Sequence, residues 1–225
     1  MSAEILAVRC GILPYEEARA TQRRLEAARQ EGAIPDVLLL LEHPPVYTRG
    51  RRSSAEELPM GAEWYERQGI EVRNTDRGGR VTYHGPGQLV AYPIVSLKPY
   101  GDDVHEYVRK MERVTIESLG DWGVEAGAIE GLTGVWVDER KIGSIGVHVS
   151  RGVTTHGLAI NVNNDLQPFE WIVPCGIEGA RMTSLARERG SEQDLDAFAD
   201  TVASRFGQIF ERTLVRGDPT TLEVA

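Results

Sequence analysis

The segment Arg77–Tyr92, RGGRVTYHGPGQLVAY, restricts the fold more than any other part of this chain, because glycines interrupt its strand-like runs. Val81–Tyr83 and Leu89–Tyr92 consist of residues that favour strands, and the turn Gly85-Pro86-Gly87 separates them. Gly78-Gly79 can adopt positive φ and allow a ligand to approach the backbone closely. The segment predicts a hairpin-like element with polar groups and bare backbone at its bend, although an ordinary glycine-rich hairpin with surface charges also fits.

Hydrophobic periodicity elsewhere predicts an α+β domain. The run Val37–Leu41, VLLLL, is typical of a buried strand. Strand-like runs at 135–137, 141–149 and 153–162 are separated by turn sequences and predict an antiparallel meander. Helical spacing predicts helices over 15–31, over 103–119 with Asp102 or Asp103 as N-cap, and after an N-cap at Ser191. We therefore expect a single domain with a mixed or antiparallel sheet flanked by helices.

Length, charge and cysteine content exclude several classes of protein. The chain has 225 residues, enough for one large domain. Its net charge of −9 disfavours non-specific binding to nucleic acid or to anionic membranes. It contains no apolar run of about 18 residues and no recognisable signal peptide. Two cysteines, Cys10 and Cys175, form no disulfide framework, which favours a cytoplasmic location.

Cys175 is the best candidate for a nucleophile, because it stands at a Pro-Gly bend in VPCGI. A buried structural cysteine is the alternative. A nucleophilic cysteine must be a thiolate and needs a cation or base nearby. Lys141, at the start of the strand-like run KIGSIGVHV, is one candidate, although most lysines are solvated at the surface. His84, His148 and His156 are the rival bases.

Metal ligation is not expected from these residues. No pair of histidines has the i, i+4 spacing of a helical metal site, and the two cysteines are far apart in the sequence. We therefore predict a site that works without a metal ion.

Four blocks in order resemble the lipoyl(octanoyl) transferases, which are octanoyl-[acyl carrier protein]:protein N-octanoyltransferases. The blocks are RGGRVTYHGPGQLVAY, KIGSIGVHVSRGVTTHGLAINVNNDL, IVPCGI and MTSL, and the earlier EHPPVYTRG is also similar. The resemblance extends from about Leu39 to about Leu185. It implies the fold shared by the catalytic domains of biotin and lipoate ligases, which we expect over 1–215, with a flexible tail over 216–225.

The resemblance implies an ATP-independent acyl transfer in which Cys175 is the nucleophile and Lys141 its partner. The octanoyl group would pass from octanoyl-acyl carrier protein, through a Cys175 thioester, to a lysine of a lipoyl domain, as the first step of endogenous lipoate synthesis. The expected acceptors are the lipoyl domains of 2-oxoacid dehydrogenase complexes and the glycine cleavage H protein. A cytoplasmic monomer without a cofactor is expected. The implied substrate-binding residues are Arg77, Gly78, Gly79, Arg80, Val81, Thr82, Tyr83, His84, Ser144, Ile145, Gly146, Gly157, Leu158 and Ala159.

Three further expectations concern how these residues act. Backbone N–H groups around Gly78-Gly79 and Gly146 are candidate oxyanion donors, because glycine permits close approach. Small residues on the meander strands, among them Gly157, would leave room for the acyl chain. Because acyl carrier proteins and lipoyl domains are typically acidic, a basic patch is expected to dock them. Its candidate residues are Arg49, Arg51 and Arg52.

Three other functions are compatible with parts of the sequence. An ATP-dependent lipoate or biotin ligase would share the fold but would need no cysteine, and the sequence has no obvious nucleotide-phosphate loop. A thiol hydrolase would pair Cys175 with a histidine and transfer the acyl group to water. A non-catalytic acyl- or carrier-binding module would bind the carrier without turnover.

Overall fold

The computed structural model describes residues 4–172 and 181–222. The described part contains five α-helices, twelve β-strands and several short 3-10 turns. The strands are β1 Glu4–Ile12, β2 Asp36–Glu42, β3 Val46–Arg49, β4 Glu71–Asn74, β5 Val81–His84, β6 Gln88–Ile94, β7 Gly127–Ile129, β8 Leu132–Val137, β9 Arg140–Ser150, β10 Val153–Asn161, β11 Arg181–Met182 and β12 Thr213–Gly217. The helices are α1 Tyr15–Gln30, α2 Ala62–Arg67, α3 Val104–Asp121, α4 Leu185–Arg189 and α5 Leu195–Ile209.

A large mixed sheet forms the centre of the domain, in the order β12-β1-β2-β6-β10-β9-β8-β7. The three strands at one end run parallel, and the remaining neighbours are antiparallel. The short β11 adds to β9 in parallel. The predicted meander is confirmed, since β8, β9 and β10 pair antiparallel in sequence order. The α+β class with a mixed sheet is confirmed as well.

Helices cover both faces of this sheet, which explains the continuous apolar run in β2. Leu38 and Leu40 pack in a core cluster with residues of α3 and α5. Leu39 and Leu41 face the opposite way and pack in a second cluster with residues of α1. Successive side chains of a strand point to opposite faces, so a strand covered on both sides is apolar at every position.

Two aspartates cap α3 and α5, the two long helices that pack on the same face of the sheet. Asp103 precedes α3, and its Oδ1 accepts from the backbone N–H groups of His105 and Glu106 at 2.8 and 3.1 Å, as predicted. The prediction of Ser191 as the cap of the last helix is wrong. Asp194 caps α5 by accepting from the N–H of Ala197 at 2.9 Å. Ser191 instead closes α4, donating its N–H to the carbonyl of Ala186.

The predicted hairpin over 77–92 is also wrong, because β5 and β6 belong to different sheets. β5 pairs with β3 in a small sheet of order β4-β3-β5, whereas β6 lies between β2 and β10. The bend is held by outside partners. Gly87, with φ +83°, donates its N–H to Glu42 Oε2 at 2.6 Å and accepts from the N–H of Asn163 at 2.8 Å. These contacts turn the chain from the small sheet into the large one.

The segment predicted as a flexible tail begins inside an edge strand. Arg216 and Gly217 pair with Ala7 and Val8 of β1, and Leu222 is buried. The predicted boundary at 215 therefore falls within β12. In the described part of the chain, no helix is long and apolar enough to cross a membrane.

Candidate active site

A pocket of about 860 Å³ opens where the small sheet meets β9 and β10. Its lining comes from the loop before β5, from β5, from the middle of β9 and β10, and from the strand end that carries Lys141. The structure brings together Lys141 and thirteen of the fourteen predicted substrate-binding residues: Arg77, Gly78, Gly79, Arg80, Val81, Thr82, His84, Ser144, Ile145, Gly146, Gly157, Leu158 and Ala159. The exception is Tyr83, whose ring packs on Tyr47 and Phe169 outside the pocket.

A buried arginine anchors the glycine-rich loop. Arg77 Nη2 donates to the carbonyl oxygen and hydroxyl of Thr48 at 2.6 and 2.8 Å, and Nη1 donates to the Gly78 carbonyl at 3.0 Å. Gly50 leaves space for this arrangement, since a Cβ there would stand 2.5 Å from the Gly79 oxygen. The guanidinium therefore fixes the loop to β3.

One predicted oxyanion donor is already engaged. The N–H of Gly78 donates to the carbonyl of Val147 on β9 at 2.9 Å. That hydrogen bond attaches the loop along the edge of β9 and leaves the Gly78 N–H unable to face a reacting carbonyl. The assignment of Gly78 as an oxyanion donor is therefore wrong.

Protein atoms occupy the space that a side chain at position 146 of β9 or position 157 of β10 would need. Gly146 and Gly157 are register partners. A Cβ on Gly157 would lie 2.2 Å from the Ala91 carbonyl oxygen of β6, and one on Gly146 would lie 3.0 Å from the Gly78 oxygen. The expectation that Gly157 makes room for the acyl chain is wrong: its missing side chain lets β6 approach β10.

Exposed arginines stand at the mouth of the pocket. Arg51 and Arg52 are exposed and line it, and their backbone N–H groups donate to the carbonyls of Arg77 and Gly79. Arg49 is half-buried and does not line the pocket. Of the predicted patch, Arg51 and Arg52 therefore form the part next to the opening.

Arg80 adds a further positive charge at this rim, and a buried carboxylate holds it. Arg80 Nη1 donates to Glu57 Oε1 at 2.6 Å, and the N–H of Val81 donates to Glu57 Oε2 at 3.1 Å. Because the side chain of Glu57 is buried, these two bonds fix the end of the loop to the start of β5.

Lys141 is buried inside the pocket and not at the protein surface, with 4% of its area exposed. Its Nζ donates to the Thr133 carbonyl at 3.1 Å and lies 5.4 Å from the centre of the Trp136 ring. The backbone of Lys141 pairs with Met182 of β11, the strand that follows Cys175 in the sequence. Cys175 itself lies outside the described residues.

Two of the three candidate histidine bases line the pocket, and both are neutral. His84 Nδ1 lies 2.7 Å from Gln88 Oε1, and burial together with the neighbouring His43 keeps the pKa of His84 well below its usual value. His156 Nε2 lies 3.0 Å from Asp76 Oδ1. Burial lowers the pKa of His156, and its hydrogen bond lowers the pKa of Asp76, so the ring donates to a carboxylate. His148 does not line the pocket.

An aromatic cluster that was not predicted from the sequence lies behind these histidines. Tyr15 and Tyr92 line the pocket, and the ring of His43 lies 5.4 and 5.8 Å from theirs. His43 Nδ1 is 2.6 Å from the Leu13 carbonyl oxygen and can only donate to it, so Nε2 accepts from the Tyr92 hydroxyl at 2.9 Å. Burial lowers the pKa of His43 to about 4. The position of His43 in EHPPVYTRG, directly after the apolar run VLLLL, is the sequence feature that could have indicated this cluster.

Comparison with known proteins identifies relatives over most of the chain. Residues 14–207 match the family model described as the lipoyl protein ligase A/B catalytic domain. The octanoyltransferase of Solibacter usitatus is 49% identical over 207 residues, covering 92% of this chain and 93% of that protein. The octanoyltransferase of Rubrobacter xylanophilus is 47% identical, covering 93% and 92%.

Solved structures with low sequence identity have the same fold. A chain from the structure of the bipartite lipoate protein ligase and E2 lipoyl domain of Thermoplasma acidophilum superposes with a TM-score of 0.76 at 18% identity, covering 98% of this chain and 89% of that one. Biotin protein ligase from Aquifex aeolicus gives a TM-score of 0.55 at 15% identity, covering 92% and 70%. The expected fold of biotin and lipoate ligases is confirmed.

Proposed function

The chain belongs to the lipoyl protein ligase A/B catalytic-domain family as one of its octanoyltransferases, and we propose that it carries the octanoyl group on Cys175 with Lys141 as the proton-transfer partner. The observation that supports this most is the burial of Lys141 in the pocket, where its backbone pairs with the strand that follows Cys175. A lysine withdrawn from solvent in this way is suited to proton transfer.

In the first step, the Cys175 thiolate attacks the thioester carbonyl of octanoyl-acyl carrier protein. A new S–C bond forms, the bond to the carrier sulfur breaks, and the Lys141 ammonium gives its proton to the departing thiolate. The positive charge of Lys141 also stabilises the Cys175 thiolate before attack. The octanoyl group is then held as a thioester on the enzyme, and Lys141 is a neutral amine.

In the second step, the amine of the acceptor lysine attacks this thioester. A C–N bond forms, the C–S bond to Cys175 breaks, and the attacking nitrogen loses its proton to Lys141. The thiolate and the ammonium are both restored. A thioester is converted to an amide, which is downhill, so the cycle consumes no ATP.

The pocket is suited to hold the acyl chain during both steps. Its apolar lining includes Val81, Ile145 and Leu158 from three different strands. Burial of an alkyl chain against such side chains contributes about 0.8 kcal/mol per methylene. The Arg51 and Arg52 side chains at the mouth would attract an acidic carrier.

The donor and acceptors in this proposal are octanoyl-acyl carrier protein and the lipoyl domains of 2-oxoacid dehydrogenase complexes and the glycine cleavage H protein. We place the reaction in the cytoplasm, where both cysteines would stay reduced, and assign the enzyme as a monomer. In this proposal His84 and His156 keep their hydrogen bonds to Gln88 and Asp76 and take no part in the proton transfer, whereas the rival hydrolase would use one of them as the base for Cys175.

The decisive experiment is the intact mass of the protein after mixing with octanoyl-acyl carrier protein in the absence of ATP. We expect a gain of one octanoyl group on the wild type, discharged by added lipoyl domain, and no gain on Cys175→Ala. Cys10→Ala is the matched control, because Cys10 lies in β1 away from the pocket and should leave the adduct intact. Lys141→Ala should slow both formation and discharge of the adduct.

Three outcomes would overturn this proposal. Transfer that proceeds without any adduct on the wild type would indicate direct transfer between the two substrates. Transfer that requires free octanoate and ATP would indicate the adenylate route of a ligase. Hydrolysis of the adduct without transfer to the lipoyl domain would instead support the hydrolase.

A further inference from the structure

Helix α3 carries a buried carboxylate, Glu112, that contacts strand β8 of the large sheet. The Glu112 side chain is 2% exposed. Its Oε2 accepts from Arg109 Nη1 at 2.7 Å, and its Oε1 accepts from the backbone N–H of Gly134 in β8 at 3.1 Å. A buried ionised carboxylate is costly unless it is well bonded, so these contacts indicate a specific role for the charge at this position.

The peptide unit that Glu112 holds is the same one that contacts Lys141. Gly134 supplies the N–H of this unit and Thr133 supplies the carbonyl, which accepts from Lys141 Nζ at 3.1 Å. In a trans peptide the N–H and C=O lie in one plane and point in opposite directions. Glu112 on one edge therefore determines where the carbonyl on the other edge points.

Glycine at position 134 allows this arrangement of peptide and lysine. Gly134 has φ +124°, a conformation that residues with a side chain rarely adopt. A Cβ there would stand 2.6 Å from both Lys141 Cε and the Gly143 oxygen. The side chain of Lys141 thus occupies the space where a side chain at position 134 would stand.

We propose that Glu112 is a positioning residue for Lys141, acting through the Thr133–Gly134 peptide. Its negative charge polarises the Thr133–Gly134 peptide through the N–H and so increases the electron density at the carbonyl oxygen. The carbonyl then binds the Lys141 ammonium more strongly and holds Nζ in one place in the pocket. This inference rests on the catalytic role of Lys141 in the proposed function.

The link can be tested directly, because the chain contains only three lysines, Lys98, Lys110 and Lys141. Protein labelled with ¹³C at lysine Cε should show three resonances, and Lys141→Arg identifies the one from Lys141. We expect Glu112→Gln, which keeps the shape and removes the charge, to shift the Lys141 resonance and leave the other two in place. Glu117→Gln is the matched control on the same helix, at a partly exposed carboxylate paired with Arg113.

Kinetics of adduct formation give the second readout. Because Glu112→Gln removes the charge that orients the Thr133–Gly134 peptide, we expect it to lower the maximal rate about tenfold with KM for the acyl carrier unchanged. Glu117→Gln should remain within about twofold of the wild type. A Lys141 resonance and a rate that both match the control would overturn the proposal.

A different perturbation covers the case in which Glu112→Gln does not fold. Replacing Gly134 with glycolate converts one amide to an ester, which deletes the N–H donor, weakens the Thr133 carbonyl as an acceptor and alters no side chain, so it perturbs both edges of the same peptide. The same loss of maximal rate is expected, and an unchanged rate would refute the link. Absence of any adduct on the wild type would refute the proposed function itself, whereas equal adduct formation by wild type and Glu112→Gln would refute only this inference.

Discussion

Substitution of Gly157 by alanine should destabilise the fold by forcing β6 and β10 apart. Gly157 lies in β10, where β6 pairs alongside through Leu158 and Ala91. An added Cβ would be 2.2 Å from the Ala91 oxygen and 2.6 Å from Pro93 Cδ. Both are far inside the ordinary contact distance between such atoms, which is about 3.5 Å, and both neighbours belong to a central strand that cannot move alone.

The expected cost follows from two contributions. Forcing an extra methyl into a packed interior costs about 1–3 kcal/mol. Separating the strands by roughly an ångström weakens at least one hydrogen bond between β6 and β10, at about 0.5–1.5 kcal/mol. The free energy of unfolding should therefore fall by about 1.5–4.5 kcal/mol. The pocket wall at Gly157 would move with the strand, so octanoyl transfer should slow as well.

Urea denaturation followed by tryptophan fluorescence would measure this loss. Gly127→Ala is the matched control, because Gly127 also lies in a strand, β7, and a Cβ there would have no neighbour within 4 Å. The control should change the free energy of unfolding by less than about 0.5 kcal/mol. Equal stability of the two variants would show that β10 can relax, and that close packing is not the reason for glycine at 157.

Three further predictions follow from the charges and ionisations of the structure. Burial raises the pKa of Cys10 to about 11, so iodoacetamide at pH 7.5 should alkylate Cys175 and leave Cys10 unmodified, as peptide mass mapping would show; equal labelling would contradict this. The pKa of His43 is lower in the folded than in the unfolded chain, so the unfolded state takes up the proton first as pH falls. The free energy of unfolding should therefore decrease between pH 6.5 and about 4, with about 3 kcal/mol of the decrease coming from this residue. The accompanying decrease in the urea midpoint should be smaller in His43→Gln. Reversal of both rim charges, Arg51→Glu with Arg52→Glu, should raise KM for the acyl carrier and weaken its salt dependence; steady-state kinetics unchanged at low salt would exclude this patch from docking.

Patterns confined to a short stretch of sequence predicted their structures well. The helix over α3 follows from the spacing of Tyr107, Met111 and Val114, which are all buried, and from the cap at Asp103. The meander follows from strand-like runs separated by turn sequences. Each of these features lies within one segment or joins segments that follow each other directly along the chain, and such features leave a pattern in the sequence.

Features that join distant segments were mispredicted or missed. The strands β5 and β6 look like a hairpin, yet Glu42 and Asn163 hold the bend and send them into different sheets. From the sequence, Gly157 was expected to make space for a ligand. In the structure, a side chain at position 157 would collide with the Ala91 carbonyl oxygen of β6. Glu112 carries no motif, and its relation to Lys141 depends on a peptide of β8 that lies between them.

Residue types and local spacing thus established the class of fold, the strands of the meander and the segments that carry the candidate chemistry. Chain packing decided which backbone groups remain for a substrate, as when the N–H of Gly78 is bonded to Val147. It also decided that Lys141 is buried beside a carbonyl that Glu112 orients. The physical reason is that hydrogen bonds and steric contacts depend on distances in space, and residues such as 78 and 147 become neighbours only after the sheets have assembled.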